Sequence, residues 1–129
     1  DMVGHTGNFT ATVRSIEAID AAVGKIMNAV LEKDGALIIT ADHGNAESKI
    51  NVLTGEVSTE HTINPVPFYL VTNKIKKEKN LDLIKELKQE QTGVKGILQD
   101  VAATVLDLLG IPAPADMDGK SLLPILYNQ

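Results

Sequence analysis

The chain has 129 residues, and its 43% hydrophobic content is enough to form one globular domain with a sizeable core. Its net charge is −5, and no basic stripe interleaved with aromatic residues marks a nucleic-acid surface, so nucleic acid is excluded as an expected partner. Cysteine is absent, which excludes thiolate metal sites and disulfides, and no apolar run suggests a membrane span or signal peptide, so a cytoplasmic protein without membrane contact is expected.

The first predicted element is a long helix. Apolar residues recur at steps of three and four from Phe9 to Val30, which keeps one helical face apolar. Asn8 or Thr6 can cap its start, and Gly35 suits the positive φ that often ends a helix. The apolar face is expected to be core that covers a sheet.

Two strands and a hairpin are predicted next. Residues 36–40 form a short apolar run without alternation, which favours a strand covered on both faces. A helix before such a strand predicts a parallel sheet. Residues 51–59 are predicted to form a hairpin with Thr54 and Gly55 at its turn. Residues 68–72 form a second apolar strand, entered through prolines.

The last third of the chain is predicted to be helical. A short helix is expected over residues 81–87, a longer one from Ile97 to Leu109 that ends at Gly110, and a final turn or short helix within residues 121–127. Asp100 and Asp107 are expected to face solvent. The mixture of periodicities predicts the α/β fold class.

The three histidines all lie beside or near acidic residues. Asp42 and His43 follow the strand at residues 36–40 directly, and ligands of α/β sheets bind beyond the carboxyl ends of strands. Oxygen and imidazole donors without thiolates suit Mn²⁺, Zn²⁺, Co²⁺ or Mg²⁺. The candidate ligands are Asp1, His5, Asp42, His43 and His61.

Five candidate side chains exceed what a single open catalytic metal usually takes from a protein, so two cations are expected. Paired cations can clamp the attacking and departing oxygens of a phosphoryl group, which indicates phosphate or sulfate ester chemistry. Asn45, Glu47 and Glu60 are expected to orient these ligands by hydrogen bonds and not to bind metal directly.

Four motifs identify a family resemblance. In chain order, they are "DMVGHTGN", "LIITADHGNAE", "EHTINPVPFYLV" and "LQDVAATVLDLLGIPAPADMDGKSLL". Together they resemble the cofactor-independent (2,3-bisphosphoglycerate-independent) phosphoglycerate mutases of the alkaline phosphatase superfamily. The resemblance implies an alkaline phosphatase-like α/β fold with a mostly parallel sheet flanked by helices. Residues 1–129 would be the C-terminal portion of its metal-binding domain, without the N-terminal portion and the inserted substrate domain.

The resemblance also implies a division of the metal ligands. Asp1, His5 and His61 would hold one divalent cation, and Asp42 and His43 the second, with Mn²⁺ the expected ion. The nucleophilic serine would belong to the N-terminal portion of the parent, so no catalytic nucleophile and no organic-cofactor site is expected in residues 1–129. The chain alone is expected to be inactive.

The implied activity is that of the parent enzyme, an isomerase of glycolysis and gluconeogenesis. It would interconvert 3-phosphoglycerate and 2-phosphoglycerate through a phosphoserine, as a cytoplasmic monomer, whereas the isolated chain would self-associate through uncovered apolar surface. Two alternatives stay open. One is another member of the superfamily, such as a phosphopentomutase or a phosphohydrolase; the other is a non-catalytic metal-binding fragment.

Overall fold

A computed structural model describes residues 1–51, 53–75 and 93–127. The chain divides into two compact units, Asp1–Lys74 and Ile75–Gln129, and each is described by itself. The helix predicted over residues 81–87 lies outside the described residues. Among the described helices, none has both the length and the apolar character that crossing a membrane requires.

The long helix of the first unit is confirmed as α1, Phe9–Glu32. Asn8 caps it, because its Oδ1 accepts a hydrogen bond from the backbone N–H of Ala11 at 2.9 Å. At the other end of α1, Asp34 has the positive φ (51°), so the prediction that Gly35 adopts it is wrong. A short polar side chain tolerates this left-handed conformation.

The C-terminal turn of α1 closes with two backbone hydrogen bonds. Asp34 N donates to Leu31 O at 3.0 Å, and Gly35 N donates to Val30 O at 3.0 Å. This is the Schellman arrangement, which satisfies two carbonyl groups that the helix itself leaves unpaired. It directs the chain straight into the first strand.

The sheet of the first unit has two described strands, β1 (Ala36–Thr40) and β2 (Phe68–Thr72). They pair antiparallel, with Ile38 opposite Leu70. The expected parallel direction is therefore wrong for this pair. Parallel pairing needs a crossover connection, usually a helix, and the described residues between the two strands contain no helix.

Apolar surface of the first unit is only partly covered. The middle of β1 is half-buried, so the expected cover on both faces is absent from the described structure. On α1, Phe9 is 67% exposed and Ile19 is 55% exposed. The prediction that this helix face is core is wrong for the described residues, since a two-stranded sheet offers too little surface to cover a helix of 24 residues.

The predicted hairpin at residues 51–59 is confirmed. Ile50 and Val57 form an isolated antiparallel bridge, and Asn51 N donates to Glu56 O at 2.8 Å. Gly55 lies at the turn with φ of 72°.

The second unit contains two described helices, α2 (Asp100–Leu108) and α3 (Leu123–Tyr127). α2 starts three residues later than the predicted Ile97 and ends at Leu108, two residues before Gly110, whose φ is 67°. Asp107 is exposed as expected. The segment at residues 121–127 forms a short helix, also as expected.

Asp100 contradicts its prediction, because it is buried at 8% exposure. Its carboxylate accepts hydrogen bonds from Lys120 N at 2.8 Å and Ile97 N at 2.9 Å, and these bonds lower the pKa of Asp100. Thr104 is fully buried, donating to Asp100 O and accepting from Leu122 N. Buried polar groups thus fix the segment 120–122 against α2.

Candidate metal centre

The five predicted ligands lie on three segments of the first unit. The 3₁₀-helix Gly4–Thr6 carries His5, and Asp42 and His43 lie just beyond the end of β1. Thr62 N donates to Gly44 O at 2.9 Å, in an isolated antiparallel bridge. Because this bridge joins the residue after His43 to the residue after His61, the two rings stack with centroids 3.5 Å apart.

The ligand atoms converge on one carboxylate oxygen. Asp1 Oδ1 lies 3.0 Å from His61 Nε2, 3.2 Å from His5 Nε2 and 3.9 Å from His43 Nε2. Asp42 Oδ1 lies 3.5 Å from His43 Nε2. All five predicted residues are therefore brought together; His43 is half-buried, the other four are exposed, and Asp42 is the most exposed of them.

Three of the five residues form the tightest group. One ligand atom each from Asp1, His5 and His61 lies within 4.8 Å of the other two, close enough to share an ion. These are the residues that the family resemblance assigns to one cation. Oxygen and imidazole donors suit a divalent metal of borderline character.

Backbone carbonyls set the proton positions on two of the rings. His5 Nδ1 lies 2.6 Å from Thr59 O, and His43 Nδ1 lies 3.3 Å from Gly44 O. A carbonyl oxygen only accepts hydrogen bonds, so the Nδ1 atom of each neutral ring carries the proton. In that tautomer the Nε2 lone pair is free for a metal ion, which could take the place of a proton between Nε2 and Asp1 Oδ1.

The local electrostatics favour the neutral form of His61. Desolvation lowers the pKa of His61 below its usual value, and the positive charges that His43 and His5 can carry lower it further. Asp42 acts in the opposite direction. A neutral imidazole binds a cation directly, whereas a protonated one must first lose its proton.

Glu47 holds the loop after His43 against the segment after His61. Its carboxylate accepts hydrogen bonds from Asn45 N at 2.7 Å, from Asn64 Nδ2 at 3.0 Å and from the hydroxyl of Thr62. Desolvation alone would raise the pKa of Glu47, but these hydrogen bonds outweigh it and lower the pKa to about 2. The expected hydrogen-bonding role of Glu47 is confirmed.

Asn45 has the second expected hydrogen-bonding role. Its Nδ2 donates to Glu60 O at 3.1 Å, so Glu60 takes part through its backbone carbonyl. Asn45 Oδ1 accepts from Lys49 Nζ at 2.6 Å. Sequence reasoning missed Lys49, since a single lysine in a polar loop carries no pattern that separates it from an ordinary surface residue.

Comparisons with known proteins relate the chain to metalloenzymes. Residues 1–113 match the model of the metalloenzyme superfamily. A Clostridium botulinum protein named 2,3-bisphosphoglycerate-independent phosphoglycerate mutase is 49% identical over 123 residues, which are 95% of this chain and 21% of the relative. A Methanosarcina barkeri protein named 2,3-bisphosphoglycerate-independent phosphoglycerate mutase 2 is 48% identical over 124 residues, again 95% of this chain and 21% of the relative.

A solved structure is also similar. It is Leishmania mexicana phosphoglycerate mutase, described at low cobalt concentration, with a TM-score of 0.67 and 33% sequence identity over 93% of this chain and 22% of that chain. This neighbour confirms the expected fold class, α/β of the alkaline phosphatase type. The chain spans about a fifth of the length of the relatives it matches.

Membership of a family of metalloenzymes implies the use of a metal, and Asp1, His5 and His61 form a group that could hold one. The resemblance to 2,3-bisphosphoglycerate-independent phosphoglycerate mutases, inferred from the motifs, is confirmed by the relatives. On the strength of a match over residues 1–113, the chain belongs to the metalloenzyme superfamily.

Proposed function

We propose that this chain supplies most of a two-cation site to a 2,3-bisphosphoglycerate-independent phosphoglycerate mutase, an isomerase of glycolysis and gluconeogenesis. In this proposal residues 1–129 are the C-terminal portion of the metal-binding domain, and the rest of the enzyme supplies the nucleophilic serine and the inserted substrate domain. The substrates are 3-phosphoglycerate and 2-phosphoglycerate, the reaction proceeds through a phosphoserine, and the full-length enzyme is a cytoplasmic monomer.

The observation that carries the proposal is the approach of three histidines to one carboxylate oxygen. Three Nε2 atoms lie within 3.9 Å of Asp1 Oδ1, although their residues are far apart in the sequence. Similarity to proteins named as mutases extends over 95% of the chain and supports phosphoglycerates as the substrate class.

The donor set fits two divalent cations, and we assign Mn²⁺ as the preferred ion, with Zn²⁺, Co²⁺ or Mg²⁺ as substitutes. Asp1, His5 and His61 would hold one cation, and Asp42 and His43 would hold the other with residues from outside this chain. When bound, such cations offset charge on phosphoryl oxygens and lower the pKa of an attacking hydroxyl group.

The side chains of this chain contribute positioning and the correct proton state. The Nδ1 atoms of His5 and His43 face the carbonyls of Thr59 and Gly44, which favours the tautomer that leaves Nε2 for a metal ion. Glu47, through Thr62 and Asn45, keeps the segments that carry His61 and His43 together. The cluster thus approaches its ligand geometry before any substrate binds.

A chimera tests the proposed function. The 123 residues of the Clostridium botulinum relative that match this chain would be replaced by those of this chain, and the product assayed with Mn²⁺ for interconversion of the two phosphoglycerates. We expect activity on phosphoglycerates in preference to pentose phosphates. The matched control, a chimera with His61→Ala, should fold, contain less bound Mn²⁺ and lose activity.

A chimera that folds, as judged by its circular dichroism, but leaves both phosphoglycerates unchanged would contradict the proposal. Activity on pentose phosphates alone would favour a phosphopentomutase instead. Metal binding without any turnover would favour a non-catalytic metal-binding role.

A further inference from the structure

Lys49 is a buried lysine with neutral partners. Its residue is only 7% exposed, and its ammonium donates to Gly4 O at 2.8 Å and to Asn45 Oδ1 at 2.6 Å. Among residues 1–51, 53–75 and 93–127, no carboxylate forms an ion pair with it. Burying an ammonium is costly, so its hydrogen bonds must offset a large loss of hydration.

The partners of Lys49 belong to the segments that carry the candidate ligands. Gly4 directly precedes His5, and Asn45 lies two residues after His43. Asn45 extends the connection, because its Nδ2 donates to the carbonyl of Glu60, directly before His61. One ammonium therefore connects all three segments, two of them directly and the third through the Asn45 amide.

The contact between Gly4 and Asn45 requires the absence of a side chain at residue 4. A Cβ built on Gly4 would overlap Asn45 Oδ1, so only glycine allows the carbonyl of residue 4 and the Asn45 amide to reach the same ammonium. The orientation of the amide is also determined, since Lys49 can only donate and the Glu60 carbonyl can only accept. The arrangement leaves the Asn45 side chain a single consistent orientation.

We infer that Lys49 is a positioning residue of the metal cluster, whose ammonium fastens the turn that carries His5 to the loop that follows His43. The inference deepens the proposed function, because it rests on the cluster being a metal site. A methionine of similar length would fill the same space without any donor. It would leave two buried oxygens unpaired and free the turn at residues 4–6 to move away from the loop.

A Lys49→Met variant of the 129-residue chain tests this inference with two readouts. In the metal-free protein, nuclear Overhauser effects report the contact between the His5 and His61 rings, whose centroids lie 4.8 Å apart. With Co²⁺ added alone, the visible absorption reports both affinity and coordination geometry. Lys25→Met, at an exposed position of α1, is the matched control.

We expect Lys49→Met to weaken the contact between the two rings while the contact between Leu37 and Val71 across the sheet persists. We also expect its Co²⁺ dissociation constant to rise about tenfold or more, as for other residues that orient metal ligands, with a changed visible spectrum. Lys25→Met should match the unmodified chain. An unchanged ring contact together with Co²⁺ affinity within about twofold of the unmodified chain would overturn the inference.

Two further outcomes separate this inference from the proposed function. If the unmodified chain binds no Co²⁺ although Lys49→Met weakens the ring contact, the proposed metal site fails, and Lys49 only fastens the turn that carries His5 to the loop that follows His43. If Lys49→Met also loses the contact between Leu37 and Val71, the variant has unfolded, and the inference is then tested on the ammonium signal of Lys49 in the unmodified chain. Hydrogen-bonded ammonium protons shielded from water should give a ¹H–¹⁵N signal with a nuclear Overhauser effect to Gly4, and absence of that signal would overturn the inference.

Discussion

At the scale of single residues, Glu47 shows how a side chain outside the candidate ligand set supports that set. Its carboxylate is fully engaged by one backbone donor and two side-chain donors, from Asn45, Thr62 and Asn64. Hydrogen bonds to the ionised form stabilise it, so the pKa of Glu47 falls to about 2 although desolvation acts in the opposite direction. The two loops that carry His43 and His61 are thus held together by a charge.

This pKa predicts an acid-sensitive contribution to stability. The folded-state pKa of Glu47 is below its ordinary value of 4.5, so its contribution is fully present above about pH 4.5 and is lost as the pH falls towards about 2. A carboxyl ¹³C titration should place the midpoint for Glu47 far below 4.5. The loss of unfolding free energy over this range should be smaller in Glu47→Gln, which carries no titrating group there. A midpoint at 4.5 would contradict the assigned hydrogen bonds.

At the scale of elements, buried polar groups fix α2 to the segment that precedes α3. Thr104 is fully buried in this helix, and its hydroxyl donates to Asp100 O at 2.7 Å and accepts from Leu122 N at 2.9 Å. The carboxylate of Asp100 accepts from Lys120 N in the same segment. The segment before α3 therefore depends on α2 for its backbone hydrogen bonds.

Thr104→Val should destabilise this unit. Valine has nearly the same shape, but the N–H of Leu122 would lose its acceptor, and an unpaired buried donor costs about 1–3 kcal/mol. Amide hydrogen exchange in α2 and at Leu122 measures the change locally. The control, Thr10→Val at an exposed position of α1, should stay within about 0.5 kcal/mol of the unmodified chain. Equal protection of α2 in Thr104→Val and the unmodified chain would contradict this account.

Periodic elements and the clustering of the candidate ligands were readable from the sequence, whereas the direction of strand pairing and the burial of single polar residues were not. The spacing from Phe9 to Val30 predicted α1, because a repeat of three to four residues is a local property. The approach of His5, His43 and His61 followed from motifs. The antiparallel pairing of β1 with β2 and the burial of Asp100 and Lys49 depend on which segments meet, and such polar residues otherwise suggest an exposed surface.

At the scale of the whole molecule, many large hydrophobic residues of the described structure are exposed. On α1 alone, Phe9, Ile16, Ile19 and Ile26 are each more than half exposed. They recur at steps that place them along one side of the helix. Continuous apolar surface of this kind drives association, because its removal from water is favourable.

We therefore expect the isolated chain to self-associate through this side of α1, and sedimentation velocity over a range of concentrations measures the effect. Ile16→Glu should weaken association about tenfold or more, since 1.4 kcal/mol suffices for that factor and burying an unpaired carboxylate costs more. Ala18→Glu adds the same charge two residues away, which a helix turns to the opposite side, so it should leave association nearly unchanged. If Ala18→Glu were equally disruptive, the effect would come from net charge. If the unmodified chain stayed monomeric over the whole concentration range, the expectation that the apolar side of α1 drives self-association would be wrong.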